Sequence, residues 1–158
     1  MTMSRRRFGA LVLSAPVALL ASRGMARAQA ILATEALTIA TATGRHRFEV
    51  EIARTEEQQA RGLMGRRYMP SERGMIFDYP QVQTVSMWMD NTFISLDILF
   101  IDAEGKIVRI AEKAEPLSRR FIPSGVPVRA VLELNAGTVE RIGAKVGDTV
   151  DISFLGAK

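Results

Sequence analysis

The chain of 158 residues contains no cysteine, which excludes disulfide bonds, thiolate metal sites and a cysteine nucleophile. It has a single histidine, His46, and a single tryptophan, Trp88. It also lacks the glycine-flanked serine of the α/β-hydrolases, the paired histidines of zinc proteases, the phosphate-binding loop and the dinucleotide fingerprint. These absences disfavour the common hydrolase and nucleotide-dependent enzyme classes, and we expect a non-catalytic protein.

The net charge of the chain is close to zero once the first 30 residues are set aside. The whole chain has a formal net charge of +4 and a pI near 10.0. Residues 1–30 hold five arginines and no acid, so residues 31–158 hold 16 basic and 17 acidic groups. Because a surplus of lysine and arginine drives binding to polyanions, we expect no nucleic-acid partner.

Long hydrophobic runs are also missing. The apolar stretch over residues 8–21 has 14 residues, fewer than the roughly 20 that span a bilayer. It follows Arg5-Arg6-Arg7 and precedes Ala28-Gln29-Ala30, a small-x-small cleavage pattern. We predict that residues 1–30 are a removed signal peptide similar to twin-arginine signals, with an ordinary secretory signal as the alternative. The mature protein, residues 31–158, is then periplasmic and has no permanent membrane anchor.

The mature region alternates apolar and polar residues in short segments, which is typical of half-buried strands. We predict strands over 36–41, 47–52, 75–77, 84–89, 96–102, 106–111, 131–134 and 149–154. The first two form a hairpin in which Phe48, Val50 and Ile52 face the core. Short helices follow Thr55, which begins a capping box with Gln58, and follow Asn135.

Strands outnumber helices in this pattern, so we predict a mostly β (α+β) fold. The expected architecture is a compact small barrel or a strongly curved antiparallel or mixed sheet with one or two short helices. Curvature and closure protect the sheet edges from pairing with other chains, and we expect a monomer. Residues 31–158 are predicted to form a single domain.

Several blocks resemble the domain of unknown function 192 family over residues 36–155. They are Gly62-Leu63-Met64, Arg73-Gly74-Met75-Ile76-Phe77, Trp88-Met89-Asp90-Asn91-Thr92, Leu96-Asp97-Ile98-Leu99-Phe100-Ile101 and Val131-Leu132-Glu133-Leu134-Asn135-Ala136-Gly137. The resemblance implies a single compact β-rich domain that is often exported, with no established activity or cofactor. Asp90 stands where the family usually has lysine.

Polar residues set among apolar ones define a candidate binding site. A charge in such a place must be paired or hydrogen-bonded, because a lone buried carboxylate is costly. One interpretation is structural: Asp97 ties a loop and Glu133 points to solvent. The other places polar groups around Trp88 as a site for an unknown small molecule or an envelope protein. The candidate ligand-binding residues are Trp88, Asp90, Asn91, Asp97, Arg73 and Glu133.

Two further functions stay open. Met87 and Met89 lie two residues apart on a predicted strand and would share a face, so with His46 they could carry Cu(I) or Ag(I). Methionines at this spacing are also ordinary core residues, and otherwise no cofactor is expected. The other alternative is an enzyme acting on cell-envelope saccharides through paired carboxylates, Asp97 with Asp90 or Glu133.

Arginines form a third feature of the sequence. They are Arg61, Arg66, Arg67 and Arg73, with Arg119 and Arg120 in a proline-flanked loop. If they converge, their guanidinium groups could clamp a carboxylate or phosphate. The alternative is that each pairs with a nearby surface carboxylate.

Overall fold

A computed structural model describes residues 32–156. The predicted signal peptide, residues 1–30, lies outside the described residues. The strands are β1 Thr34–Thr41, β2 Gly44–Ala53, β3 Arg73–Gln83, β4 Ser86–Met87, β5 Leu96–Ile101, β6 Ile107–Ala114, β7 Ile122–Pro123, β8 Val128–Asn135 and β9 Thr149–Val150. The helices are α1 Glu56–Arg61 and α2 Thr138–Ile142, and a 3-10 turn spans Ser153–Leu155.

Seven of these strands form one sheet, in the order β6-β5-β8-β3-β2-β1-β9, that curls strongly into a half-barrel. β2 and β3 run parallel, whereas the other neighbouring strands run antiparallel. β4 and β7 form a separate two-stranded antiparallel sheet. The prediction of a mostly β fold with a strongly curved mixed sheet and two short helices is confirmed.

The two outermost strands of the curled sheet meet at one point. The Ile107 amide donates to the Asp148 carbonyl over 2.9 Å, and the Val150 amide donates to the Gly105 carbonyl over 2.7 Å. A side chain at position 105 would place its Cβ 2.5 Å from the Val150 carbonyl oxygen, and Gly105 also has φ +81°. Glycine therefore permits this close approach, which pairs backbone groups that would otherwise form free edges.

The sheet buries apolar side chains on both faces. Leu99 and Ile101 of β5 belong to a first cluster, together with residues of α2 and the C-terminal turn. Leu96, Ile98 and Phe100 belong to a second cluster, together with the segment after α1 and β4. The alternation follows from the two-residue period of a strand and explains why β5 is almost continuously apolar.

The local patterns near the beginning of the fold are confirmed. β1 and β2 form an antiparallel hairpin. Phe48, Val50 and Ile52 are buried. The Gln58 amide donates to the Thr55 hydroxyl over 3.2 Å, and the Thr55 amide donates to the Gln58 side chain over 3.0 Å. The predicted capping box therefore begins α1.

Several strand lengths differ from the prediction. β3 continues well past residues 75–77, through Pro80. Its pairing with β8 shifts register between Asp78 and Gln83, and this irregularity accommodates a residue that has no amide hydrogen. The predicted strand 84–89 shortens to β4, the predicted strand 149–154 shortens to β9, and β7 was not predicted.

Candidate functional site

A pocket of about 280 Å³ lies beside Trp88, on the second-cluster face of the sheet. Residues 59–64 form one side of it, because the capped helix α1 ends there at Gly62. Phe77 and Tyr79 contribute from β3, and Glu133 contributes from β8. The volume is close to the lower end of the usual range for small-molecule sites, roughly 300–1,000 Å³.

Aromatic side chains form an open wall of this pocket. The rings of Trp88 and Phe121 stack with centroids 5.9 Å apart and an angle of 11° between their planes. Trp88 is 39% exposed and Phe121 is 71% exposed. Exposed aromatic surface of this size beside a cavity is typical of a surface that a ligand or partner covers.

The loops that carry the two rings are tied to each other through the backbone. The Met89 amide donates to the Ser118 carbonyl over 3.0 Å, and the Leu117 amide donates to the Thr92 carbonyl over 3.0 Å. These bonds hold the segment after Trp88 beside the segment before Phe121. The aromatic wall is therefore built from two chain regions whose relative position the fold determines.

Glu133 is the carboxyl group among the residues that line the pocket. It is 4% exposed and lies on β8 between Met75 of β3 and Ile98 of β5. Burial raises the pKa of Glu133 to about 8. A buried carboxyl group with a strongly raised pKa in a cleft is a candidate functional group.

The Glu133 carboxyl has no hydrogen bond or ion pair with any of the residues 32–156. Across the same residues, every fully enclosed side-chain nitrogen and oxygen atom has a hydrogen-bond partner. The Glu133 carboxyl oxygens are therefore not sealed from solvent, and their hydrogen-bond partner must come from outside the chain. Because Glu133 lines the pocket, that partner would reach it through the cavity.

Tyr79 lies near this carboxyl group. Burial, with a smaller contribution from the charge of Glu133, raises the pKa of Tyr79 to about 12. Its hydroxyl group donates to the Met87 sulfur over 3.7 Å. Tyr79 therefore remains a neutral hydrogen-bond donor over the physiological pH range.

Asp97 does not line this pocket. It is fully buried on the first-cluster face, where its carboxylate accepts the Lys113 amide over 2.8 Å and the Val139 amide over 2.9 Å. Gly137 precedes α2 and has no side chain to cap it. Asp97 supplies the missing cap from a neighbouring strand, so it ties a loop, as the structural interpretation stated.

Asp90, Asn91 and Arg73 also lie outside the residues that line the pocket. Arg119 approaches Asp90 to 3.4 Å, and the Asn91 amide donates to Asp90 over 3.2 Å. Arg73 pairs with Glu49 over 3.0 Å. Of the six predicted binding residues, the pocket brings together Trp88 and Glu133, and the suggestion that Glu133 points to solvent was wrong.

Sequence reasoning missed Tyr79, Met87 as a wall residue, Thr92 and Phe121. Strand alternation from Phe77 would have placed Tyr79 on the same face, but the strand was expected to end at residue 77. Phe121 lies in a proline-flanked loop without any periodic pattern. Its place beside Trp88 depends on tertiary contacts.

The residues of the metal-carrier alternative do not converge. The His46 Nε2 atom lies 3.2 Å from the Thr41 hydroxyl and 3.0 Å from the Thr43 hydroxyl. His46 shares the face of Phe48 and the first cluster, whereas Met87 and Met89 are buried in the second cluster. Across residues 32–156, no group of three or more histidine, aspartate or glutamate side chains is placed to hold a metal ion.

The enzyme alternative requires two carboxylates in one cleft, at a separation of roughly 5–9.5 Å. Asp97 and Glu133 lie on opposite faces of the sheet, and Asp90 is not among the residues that line the pocket. The pocket therefore offers a single carboxyl group. This arrangement does not fit paired-carboxylate chemistry.

Four of the six arginines, Arg66, Arg67, Arg73 and Arg119, have separate partners. Arg66 makes two hydrogen bonds of 2.6 Å to Glu51, and Arg67 lies 4.5 Å from the ring centroid of Phe93. Arg61 lines the pocket at the exposed end of α1. These contacts favour individual pairing over one shared anion clamp.

No helix within residues 32–156 has the length and hydropathy needed to cross a bilayer.

The chain is similar to one family model and to solved structures. The model of the DUF192 family, described as "Uncharacterized ACR", matches residues 38–152. No curated protein matches the chain.

Two solved structures are similar to the chain. A protein from Sinorhizobium meliloti 1021, described as a candidate transcription regulator, is 45% identical with a TM-score of 0.74, over 76% of this chain and 94% of that one. A protein of unknown function from Novosphingobium aromaticivorans DSM 12444 is 40% identical with a TM-score of 0.74, over 76% of this chain and 86% of that one. Because the family model covers most of the sequence and both structures share the fold, the chain belongs to the DUF192 family.

Proposed function

We propose that this protein is an exported, non-catalytic binding domain of the periplasm, whose small-molecule ligand occupies the pocket between Trp88 and Glu133. One observation carries the proposal: a carboxyl group that is 4% exposed and has no partner within residues 32–156 lines a pocket beside an exposed tryptophan. The periplasmic part rests on the pattern of residues 1–30.

The composition of the pocket supports binding more than catalysis. The exposed rings of Trp88 and Phe121 offer apolar contact area, and Glu133 offers one orienting polar group. An acid or base for catalysis would act beside a nucleophile or a second titratable group of suitable pKa. Apart from Glu133, the cavity is lined by the guanidinium group of Arg61 and by Tyr79, whose raised pKa keeps it protonated near neutral pH.

The size of the pocket supports a small molecule over an envelope protein. A cavity of about 280 Å³ accommodates a compact organic compound or one side chain. A protein partner would instead need an interface of roughly 800 Å² on each side. Glu133 lies below the surface, where a small ligand can enter and pair with it.

Native mass spectrometry of the protein purified from the periplasm tests the proposal. Wild-type protein should carry an additional organic mass, and Trp88→Ala should lose it because the aromatic wall is removed. Val146→Ala is the matched control, since Val146 is 62% exposed and does not line the pocket. It should retain the additional mass.

Two results would contradict the proposal. One is a bare polypeptide mass for the wild type, together with unchanged Trp88 emission when the small-molecule fraction of the periplasm is added. The other is an organic mass that Trp88→Ala retains in full, which would place the ligand elsewhere. Recovery of the protein from the cytoplasmic fraction alone would reject the periplasmic location.

A further inference from the structure

The charge distribution of the pocket is uneven. Its buried part contains the carboxyl group of Glu133, and the basic group among the lining residues is Arg61, whose side chain belongs to the exposed last turn of α1. Burial alone accounts for the raised pKa of Glu133, and no nearby guanidinium group contributes to it. Arg61 therefore does not serve as the counterion of Glu133.

An ionised Glu133 would need a cation that residues 32–156 do not provide. The buried carboxyl groups of Asp78 and Asp97 have partners within the chain: Asp78 pairs with Arg129 and Arg54, and Asp97 accepts two backbone amides. Glu133 differs because it faces a cavity rather than packed protein. A cationic ligand would supply the missing partner.

The walls of the pocket also suit a cationic organic compound. The rings of Trp88, Phe121 and Tyr79 line it, and aromatic rings attract cations in addition to providing apolar contact. Leu63 and Met87 complete a surface on which a short carbon skeleton can pack. A strongly hydrated inorganic cation would gain little from such walls.

We propose that the ligand of this pocket is a small organic primary amine. Its ammonium group pairs with Glu133, and its carbon skeleton lies against Trp88 and Phe121. This inference rests on the proposed function and specifies the class of ligand.

Binding should be linked to proton release. In the empty pocket Glu133 is mostly protonated at pH 7, since its pKa is about 8. An ammonium group at the carboxyl stabilises its ionised form, so Glu133 loses its proton as the ligand enters. The other titratable or charged groups facing the cavity are Arg61 from α1 and Tyr79 from β3, and burial raises the pKa of Tyr79 so that it keeps its proton in this range. Nearly one proton should leave for each amine bound at pH 7.

A matched pair of probes tests the class of ligand. Phenethylamine and 2-phenylethanol have similar skeletons and differ in the head group. Because Trp88 is the single tryptophan of the chain, its emission reports occupancy of the pocket directly. We expect wild-type protein at pH 7 to bind the amine at least about tenfold more tightly than the alcohol.

Two variants separate the role of Glu133 from effects on the fold. Glu133→Gln has the shape of the protonated side chain but cannot ionise. It should lose the preference for the amine, while its affinity for the alcohol changes by less than about threefold. Val146→Ala, outside the pocket, should bind both probes as the wild type does. Calorimetry in buffers of different ionisation enthalpy should detect proton release in wild type and not in Glu133→Gln.

The outcomes distinguish the inference from the proposed function. Equal binding of both probes, or an amine preference that survives in Glu133→Gln, rejects the amine class and leaves the binding domain intact. Binding of neither probe up to about 10 mM also rejects the amine class. A co-purified organic mass without a basic nitrogen would do the same while supporting the proposed function. A bare mass in native spectrometry, together with unchanged Trp88 emission on addition of the small-molecule fraction of the periplasm, would contradict both.

Discussion

Replacing Glu133 with glutamine should make the folded protein more stable than the wild type at alkaline pH. The pKa of Glu133 is about 8 in the folded protein and about 4.5 in an ordinary exposed setting. Between these values the folded state holds a proton that the unfolded state has lost. The free energy of unfolding of the wild type therefore falls as pH rises from about 4.5 to about 8, and this contribution is constant above that range.

The magnitude follows from the size of the shift. One pKa unit corresponds to about 1.4 kcal/mol, so the difference between a pKa of 4.5 and one of about 8 corresponds to roughly 5 kcal/mol in the free energy of unfolding. Water in the open pocket relieves part of the desolvation, and we expect roughly 2 to 4 kcal/mol. Glutamine cannot ionise, so the variant lacks this loss. The difference in stability between variant and wild type should grow by that amount from pH 4.5 to pH 9.

Urea unfolding at pH 5, 7 and 9, monitored by far-ultraviolet circular dichroism, measures the difference. Because other titrating groups are common to both proteins, their contributions cancel. Glu112→Gln is the matched control, since it makes the same chemical change at an exposed position. A Glu133→Gln difference that is constant with pH, or that shrinks toward pH 9, would show that the Glu133 carboxyl group is not held protonated by burial.

Three further predictions concern other parts of the chain. Asp97→Ala leaves the Lys113 and Val139 amides without their acceptor, so the free energy of unfolding in urea should fall by roughly 2 to 5 kcal/mol. Asp97→Asn should lower it less, and equal stability of the alanine variant and the wild type would contradict the capping role. Gly105→Ala should lower the thermal midpoint by several degrees, because the new Cβ would lie 2.5 Å from the Val150 carbonyl oxygen. Gly65→Ala is the control, since Gly65 has a similar φ of +80° but open space around its Cβ, so this variant measures the effect of backbone strain alone. Replacing both Arg5 and Arg6 with lysine should retain the protein in the cytoplasm if a twin-arginine signal directs export, and continued export in cell fractionation would favour the ordinary secretory signal.

The parts of the fold that depend on local pattern could be predicted from the sequence. The β1–β2 hairpin, the capping box at Thr55 and the buried strand β5 each follow from neighbouring residues. The length of β3 could not be predicted in this way. It depends on pairing with β8, and that pairing tolerates an irregularity after Asp78.

The candidate site likewise depends partly on local sequence pattern and partly on tertiary packing. Asp97 and Glu133 both interrupt apolar strands, and the sequence marks them alike. In the sheet, Asp97 stands opposite Leu134 and Ile98 stands opposite Glu133, so the two carboxyl groups point to opposite faces. One face is closed by α2, and the other leaves a pocket beside Trp88. Only the covering elements decide which carboxyl group is structural and which remains without a partner.

Nuclear magnetic resonance of protein carrying ¹³C-labelled methionine methyl groups shows whether a small molecule occupies the pocket between Trp88 and Glu133. Met64 and Met87 line the pocket, whereas Met69 and Met89 are buried in the second cluster outside its lining. On addition of the small-molecule fraction of the periplasm, we expect the signals of Met64 and Met87 to shift while those of Met69 and Met89 stay nearly unchanged. Shifts confined to methionines outside the pocket, or no shift at all, would contradict it.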